Sequence, residues 1–159
     1  MLYKISAVLL LLVLSSCVPP AYLTQEEKEV VYSHNVELTK DKIKTKLMQF
    51  VNETFKSSKA VIQTNEDGLL SGNGVVLLGA DAFGVVKTYM EFTFMFKYQD
   101  NQYKLKCIIK NLYNVDSKST YDINAYNYGN WKKEIDDEFV KFDGDANKSL
   151  TNKKDAFDF

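Results

Sequence analysis

The sequence predicts an α+β domain: a curved, antiparallel, five-stranded sheet with two helices on one face, in the order β-α-β-β-β-β-α. Three observations predict it. Two long runs, Val85 to Tyr98 and Tyr103 to Val115, alternate apolar and polar residues and are parted by a short polar turn, as in an antiparallel hairpin. Segments on either side of the strands repeat apolar residues at helical spacing. Gly- and Asn-bearing turns punctuate the region between.

The first element is not part of that domain. Lys4 gives a single positive charge, and Ile5 to Leu14 follow without a charge. This run is too short for a bilayer span, which needs about 20 apolar residues, and fits the roughly 7–15 residue core of a secretory signal. Leu14-Ser15-Ser16-Cys17 closes it. These residues resemble the lipobox of bacterial lipoproteins. The resemblance implies that Leu14, Ser15 and Ser16 are read by the signal peptidase, that cleavage falls before Cys17, and that Cys17 and the new N-terminus carry acyl chains. One chain anchors only marginally and two hydrophobic signals anchor stably, so a triacylated Cys would hold the protein on a membrane. Val18-Pro19-Pro20 ends the apolar segment, because Pro cannot continue a helix. The expected division is a signal peptide over 1–16, a lipidated Cys and tether over 17–28, a domain over 29–142, and a polar, poorly ordered tail over 143–159.

Within the domain, Val30 to His34 reads as a short strand. Thr39 is placed to cap a helix, with Leu38 and Ile43 as a hydrophobic staple. Ile43, Leu47, Phe50, Val51 and Phe55 form its inner stripe. Ala60 to Thr64 is a strand, Asn65 to Gly68 a turn, and Leu69 to Leu78 a strand in which Gly72 and Gly74 suggest a bulge. In the long hairpin, Met90, Phe92, Phe94, Phe96 and Tyr98 share one face with Tyr103, Leu105, Cys107 and Ile109. Asp116 to Gly129 reads as a polar, Tyr/Asn-rich loop. The second helix begins near Asn130, with Trp131, Ile135, Phe139 and Phe142 inward.

The helix Leu38 to Phe55, the strand Ala60-Val61-Ile62-Gln63 and the small-residue strand Gly68-Leu69-Leu70-Ser71-Gly72-Asn73-Gly74 together resemble one TATA-binding-protein-like (TBP-like) unit. They also resemble a domain-of-unknown-function family of that fold, common in exported proteins of Bacteroidetes. The resemblance spans roughly 29–142. It implies the fold and an envelope setting, and it brings no catalytic residues.

Composition narrows the function. About 140 residues remain after cleavage, enough for one domain with a real core. Loss of Lys4 takes the basic count from 20 to 19 against 21 acids. Every basic residue is Lys, and Arg, the bidentate reader of phosphate, is absent. That balance argues against a nucleic-acid partner. With Cys17 acylated, Cys107 stands alone on an apolar strand face, where a small buried hydrophobe is expected. His34 is the sole histidine, and no phosphate-loop, zinc-protease or nucleophile-elbow motif occurs. Asp143-Gly144-Asp145-Ala146-Asn147 starts like a calcium loop, but Lys148 and Lys154 stand where Gly and the bidentate Glu belong. No metal or cofactor is expected. Asp136-Asp137-Glu138 are helix neighbours that point different ways.

The candidate site is the sheet's outer face, where Tyr89, Met95, Ile108 and Leu112 mix with Lys97, Lys104, Lys106 and Lys110. A purely solvated face would carry fewer large apolar groups; the alternatives are scattered single apolar residues, which are common on surfaces, or cover by the Tyr-rich loop 116–129. The sequence therefore points to a non-enzymatic, lipid-anchored envelope module that binds another envelope protein or a small ligand through this face. The alternative is a hydrolase whose carboxylates meet only in the fold. Val18, rather than Asp, follows Cys17, which under the lipoprotein resemblance favours the outer membrane. The lack of an acidic cluster behind Cys17 favours its periplasmic side over surface display.

Overall fold

The computed structural model describes residues 22–55, 61–80, 86–114, 120–121 and 125–152. Leu14, Ser15, Ser16 and Cys17 lie outside them. The elements are β1 (Glu29–Asn35), α1 (Lys40–Thr54), β2 (Val61–Glu66), β3 (Leu69–Ala80), β4 (Lys87–Gln99), β5 (Gln102–Asn114), the two-residue β6 (Thr120–Tyr121) and α2 (Ala125–Thr151). All pairings are antiparallel, and the five-strand path runs β1-β5-β4-β3-β2. β6 continues the β1 edge by pairing with β5 at Leu112 and Tyr113. The sheet is open, with both helices on one face.

The period-two pattern does what it predicts. Met90, Phe92, Phe94, Phe96 and Tyr98 of β4, and Tyr103, Leu105, Cys107 and Ile109 of β5, are all buried. The helices supply the matching layer: Ile43, Leu47, Phe50 and Val51 from α1, and Ile135, Phe139 and Phe142 from α2. Phe142 is the hub. Its ring lies 5.2 Å from Phe50, 5.6 Å from Phe92 and 5.8 Å from both Phe55 and Phe94, centroid to centroid, separations at which tilted aromatic pairs attract.

Two glycines make close packing possible. A Cβ at Gly74 would lie 2.7 Å from the Phe55 ring and 2.9 Å from Phe92. A Cβ at Gly79 would lie 3.0 Å from the Trp131 ring. The expected bulge at Gly72 and Gly74 is instead elsewhere. The extra residue is Gln63 on β2, opposite Ser71 and Gly72, and a second irregularity falls at Leu78.

The α1 N-terminus is capped from a distance. Thr39 occupies the cap position, yet its side chain makes no capping bond. The Lys40 amide donates instead to Asp100 Oδ1 at 2.7 Å, so a carboxylate from the β4–β5 turn meets the positive end of the helix. That turn is locked by Val36 N–H to Asn101 O and Asn101 N–H to Leu38 O, at 2.8 and 2.9 Å. Asn101 itself has φ 63°, a conformation Asn tolerates better than most residues.

Three sequence boundaries move. The helix α2 starts at Ala125, inside the stretch expected to be loop, and runs to Thr151. The tail expected from Asp143 is therefore helix through its first nine residues, because Ala146 and Leu150 continue the buried stripe of Ile135, Phe139 and Phe142. Asp143 itself is buried at 8% exposure, and His34 Nε2 lies 2.8 and 2.9 Å from its two oxygens. The segment 143–147 cannot be a calcium loop while helical. Finally, part of the expected tether is docked: Leu23 is buried in the core. Thr24 and Glu27 exchange hydrogen bonds, N–H to Oε2 at 2.7 Å and the reverse N–H to Oγ1 at 3.3 Å, a capping-box arrangement.

Candidate binding face of the sheet

The outer face is built by the residues that alternate with the core. Its central cross-strand row reads Val31, Lys106, Met95, Ser71 and Thr64. On one side lies Glu29, Ile108, Thr93 and Asn73, and on the other Ser33, Lys104, Lys97, Leu69 and Glu66. Tyr89, Met95, Lys97, Lys104, Lys106 and Ile108 are therefore brought onto one surface, as their parity predicts.

Leu112 is not on it. Glu91 pairs with Asn111 and Phe92 with Ile109, so Lys110 is an extra, bulged residue on β5. One inserted residue reverses the side-chain alternation beyond it. Leu112 consequently faces the core opposite Met90 and is 1% exposed. Lys110 is exposed at the bulge, and Asn111 and Tyr113 take over the outer positions.

That reversal creates a feature alternation alone does not reveal. Tyr113 comes opposite Tyr89, and the rings stack at 5.7 Å with an 18° tilt. Leu77 flanks Tyr89 on β3 and is 47% exposed, while Val31 at the other side of the sheet is 58% exposed. Burial and the nearby Glu91 raise the Tyr113 pKa. Polar pairs knit the face between these patches: Thr93 Oγ1 donates to Asn73 Oδ1 at 2.9 Å, and Asn111 Nδ2 to Glu91 Oε2 at 3.1 Å.

The lysines differ in their partners. Lys106 Nζ lies 2.5 Å from Glu29 Oε2, and this bond, with one from Gln25, holds the Glu29 carboxyl below its ordinary range. Lys97 and Lys104 are directly opposed, and neither has an ion-pair partner among the described residues.

Of the other chemistry-bearing residues described, His34 and Asp143 pair as given above. Cys107 is fully buried, and burial first, then Asp143, pushes its thiol pKa up. His34 sits opposite Tyr103, four residues along β5 from Cys107, a separation of about 13 Å and far beyond a nucleophile–base contact. A cavity of about 190 Å³ between the helices and β3–β4 is walled mainly by Phe50, Phe55, Met90, Phe92, Phe139 and Phe142. Glu138 and Asp145 also line it, but they are two helical turns apart, about 10 Å along the axis. They pair with Lys141 and Lys148, respectively. Among the described residues there is no cluster of three potential metal ligands, and no helix is long and apolar enough to cross a membrane.

No protein-family model matches the chain, and no curated protein matches it. Solved structures do. A DUF4468 family protein from Bacteroides ovatus superposes with a TM-score of 0.65 at 10% identity, over 80% of this chain and 88% of the other. A TBP-like protein from Parabacteroides distasonis superposes with a TM-score of 0.51 at 16% identity, over 80% of this chain and 97% of the other. The fold is TBP-like. At such identities the likeness speaks for the TBP-like architecture alone. It agrees with the fold expected from the helix, the short strand and the Gly-bearing strand that follows.

Proposed function

We propose that this protein is a lipid-anchored, non-enzymatic binding module of the cell envelope. Cys17 would carry the lipid, on the periplasmic side of the outer membrane. The outer sheet face would contact another envelope protein or a small ligand. One observation carries the reading. Val31, Leu77, the Tyr89–Tyr113 stack, Met95 and Ile108 put a broad apolar and aromatic share on the face opposite both helices. Exposed patches of this kind mark interaction surfaces, and aromatic residues and Met are enriched in interface cores.

The anchor rests on the Leu14-Ser15-Ser16-Cys17 pattern. Photo-crosslinking residues placed at Met95 and Leu77 in the full chain, in cells, should give discrete adducts. The same probe at Val140, an exposed residue of α2, should not. Adducts at Val140 with none on the sheet would remove the reading. Mass spectrometry of the mature N-terminus should find an acylated Cys17, and an unmodified, unprocessed chain would remove the anchor.

A further inference from the structure

We propose that the hairpin end of the outer face is an anion site, in which Lys97 and Lys104, with Gln99 and Gln102, hold a doubly charged oxyanion of the phosphate-monoester or sulfate class. The proposal rests on the outer face being the functional side and names what part of it binds.

Lys97 and Lys104 are direct cross-strand partners, and Gln99 and Gln102 are partners in the next outward-facing row. The Cβ atoms of such partners lie about 5 Å apart, and like charges placed so are destabilising. Lys106, the next outward-facing lysine of β5, is instead compensated by its pairing with Glu29. Here no acid neutralises either ammonium, and Glu66, in the same row, is two strands beyond Lys97. A concentrated, uncompensated double charge is expected where an anion completes it.

The second observation is the shape. These four residues line an open pocket of about 380 Å³ together with Leu69 and the Asp67–Gly68 turn of the β2–β3 hairpin. That volume holds on the order of a dozen waters, so it admits an oxyanion with the group that bears it. Asp67 also lines the pocket, but its carboxylate accepts a 2.6 Å bond from Lys40, which holds it ionised and compensated. Two ammonium groups supply charge without the fork geometry of Arg, and the amides supply directional donors. The turn is rigid. Gly68 has φ 83° and its carbonyl accepts from the Tyr98 amide at 2.9 Å.

The test uses the full chain in a neutral detergent at fixed ionic strength, titrated calorimetrically with inorganic phosphate, glycerol 3-phosphate and dihexanoyl phosphatidic acid. Saturable binding is expected, weakened at least about tenfold by Lys97→Gln and by Lys104→Gln and unchanged by Lys133→Gln, on the far side of the sheet. Phosphate should raise the melting temperature of the parent and not of the Lys97→Gln protein. Without phosphate, Lys97→Gln should itself melt no lower than the parent, because it removes the repulsion. Preference for the phosphatidic acid would assign the site to lipid headgroups, and equal binding of glycerol 3-phosphate to soluble esters. No saturable binding in the millimolar range, or equal binding by Lys97→Gln, would overturn the proposal. Sheet crosslinks persisting without anion binding would sink the anion site alone. Anion binding without sheet crosslinks would sink the protein-contact part of the functional reading alone.

Discussion

Removing the carboxylate of Asp143 tests whether the C-terminal half of α2 is held to β1 as described. Asp143 faces His34 across the interface between the two elements, with both oxygens within 2.9 Å of Nε2. A buried hydrogen bond to a charged group is worth about 1.5–3 kcal/mol. The His34 side chain keeps 24% exposure, and screening by solvent brings the expected coupling down to about 1–2 kcal/mol. Ala is a better helix former than Asp by roughly 0.5 kcal/mol, so Asp143→Ala should lose about 1 kcal/mol net. His34→Ala adds the loss of a stack on Tyr103, whose ring lies 5.0 Å away. A double-mutant cycle by urea unfolding at one pH isolates the pair from these side effects. A coupling below about 0.3 kcal/mol would mean the two residues do not meet. Amide exchange gives a local check: protection from Asn147 to Leu150 should fall in Asp143→Ala, and unchanged protection would refute the docking role.

Two further outcomes follow from packing. Leu112→Ser should cost about 3 kcal/mol, since it removes a fully buried side chain opposite Met90. Ile108→Ser should cost about 1 kcal/mol or less, and urea midpoints in the reverse order would refute the bulge at Lys110. Gly74→Ala should cost about 1–3 kcal/mol through overpacking, because its methyl would collide with the Phe55 and Phe92 rings. A melting temperature equal to the parent's would show that these rings can yield.

Most of the fold is legible because burial enforces periodicity. A strand with one buried face must alternate, and β4 alternates without a break from Thr88 to Tyr98. The inner stripe of α1 is legible for the same reason. The end of α2 is harder to read because local composition and tertiary burial disagree there. Asp143, Gly144, Asp145 and Lys148 are each a plausible tail residue. Yet Ala146 and Leu150 fall four and eight positions beyond Phe142, and both are buried. Extending the stripe past the polar residues would have found the helix. Asp143 gave no such signal, because its partner His34 is 109 residues away in sequence. The cap of α1 hides similarly. Thr39 marks the right position, but the acceptor comes from Asp100, which only the return of the β4–β5 turn brings near.

The candidate face is legible up to the bulge and not past it, for a definite reason. Alternation assigns a side only relative to a fixed count, and a single unpaired residue shifts the count for everything beyond. Lys110 is an ordinary strand-compatible residue on an exposed position, so nothing in its chemistry announces the insertion. The register with β4 announces it: to keep Leu112 opposite Met90 in the core, one residue of β5 must go unpaired. The energy of burying Leu112 selects the bulge, and the bulge in turn delivers Tyr113 to Tyr89. The opposed lysines lie at the other end of the same hairpin, where the register is uninterrupted from Thr93–Ile108 to Gln99–Gln102. The pairing of Lys97 with Lys104 is therefore fixed by the position of the Asp100–Asn101 turn. That turn is held by its hydrogen bonds to Val36, Leu38 and Lys40. The contacts that cap α1 are thus the ones that hold two like charges face to face.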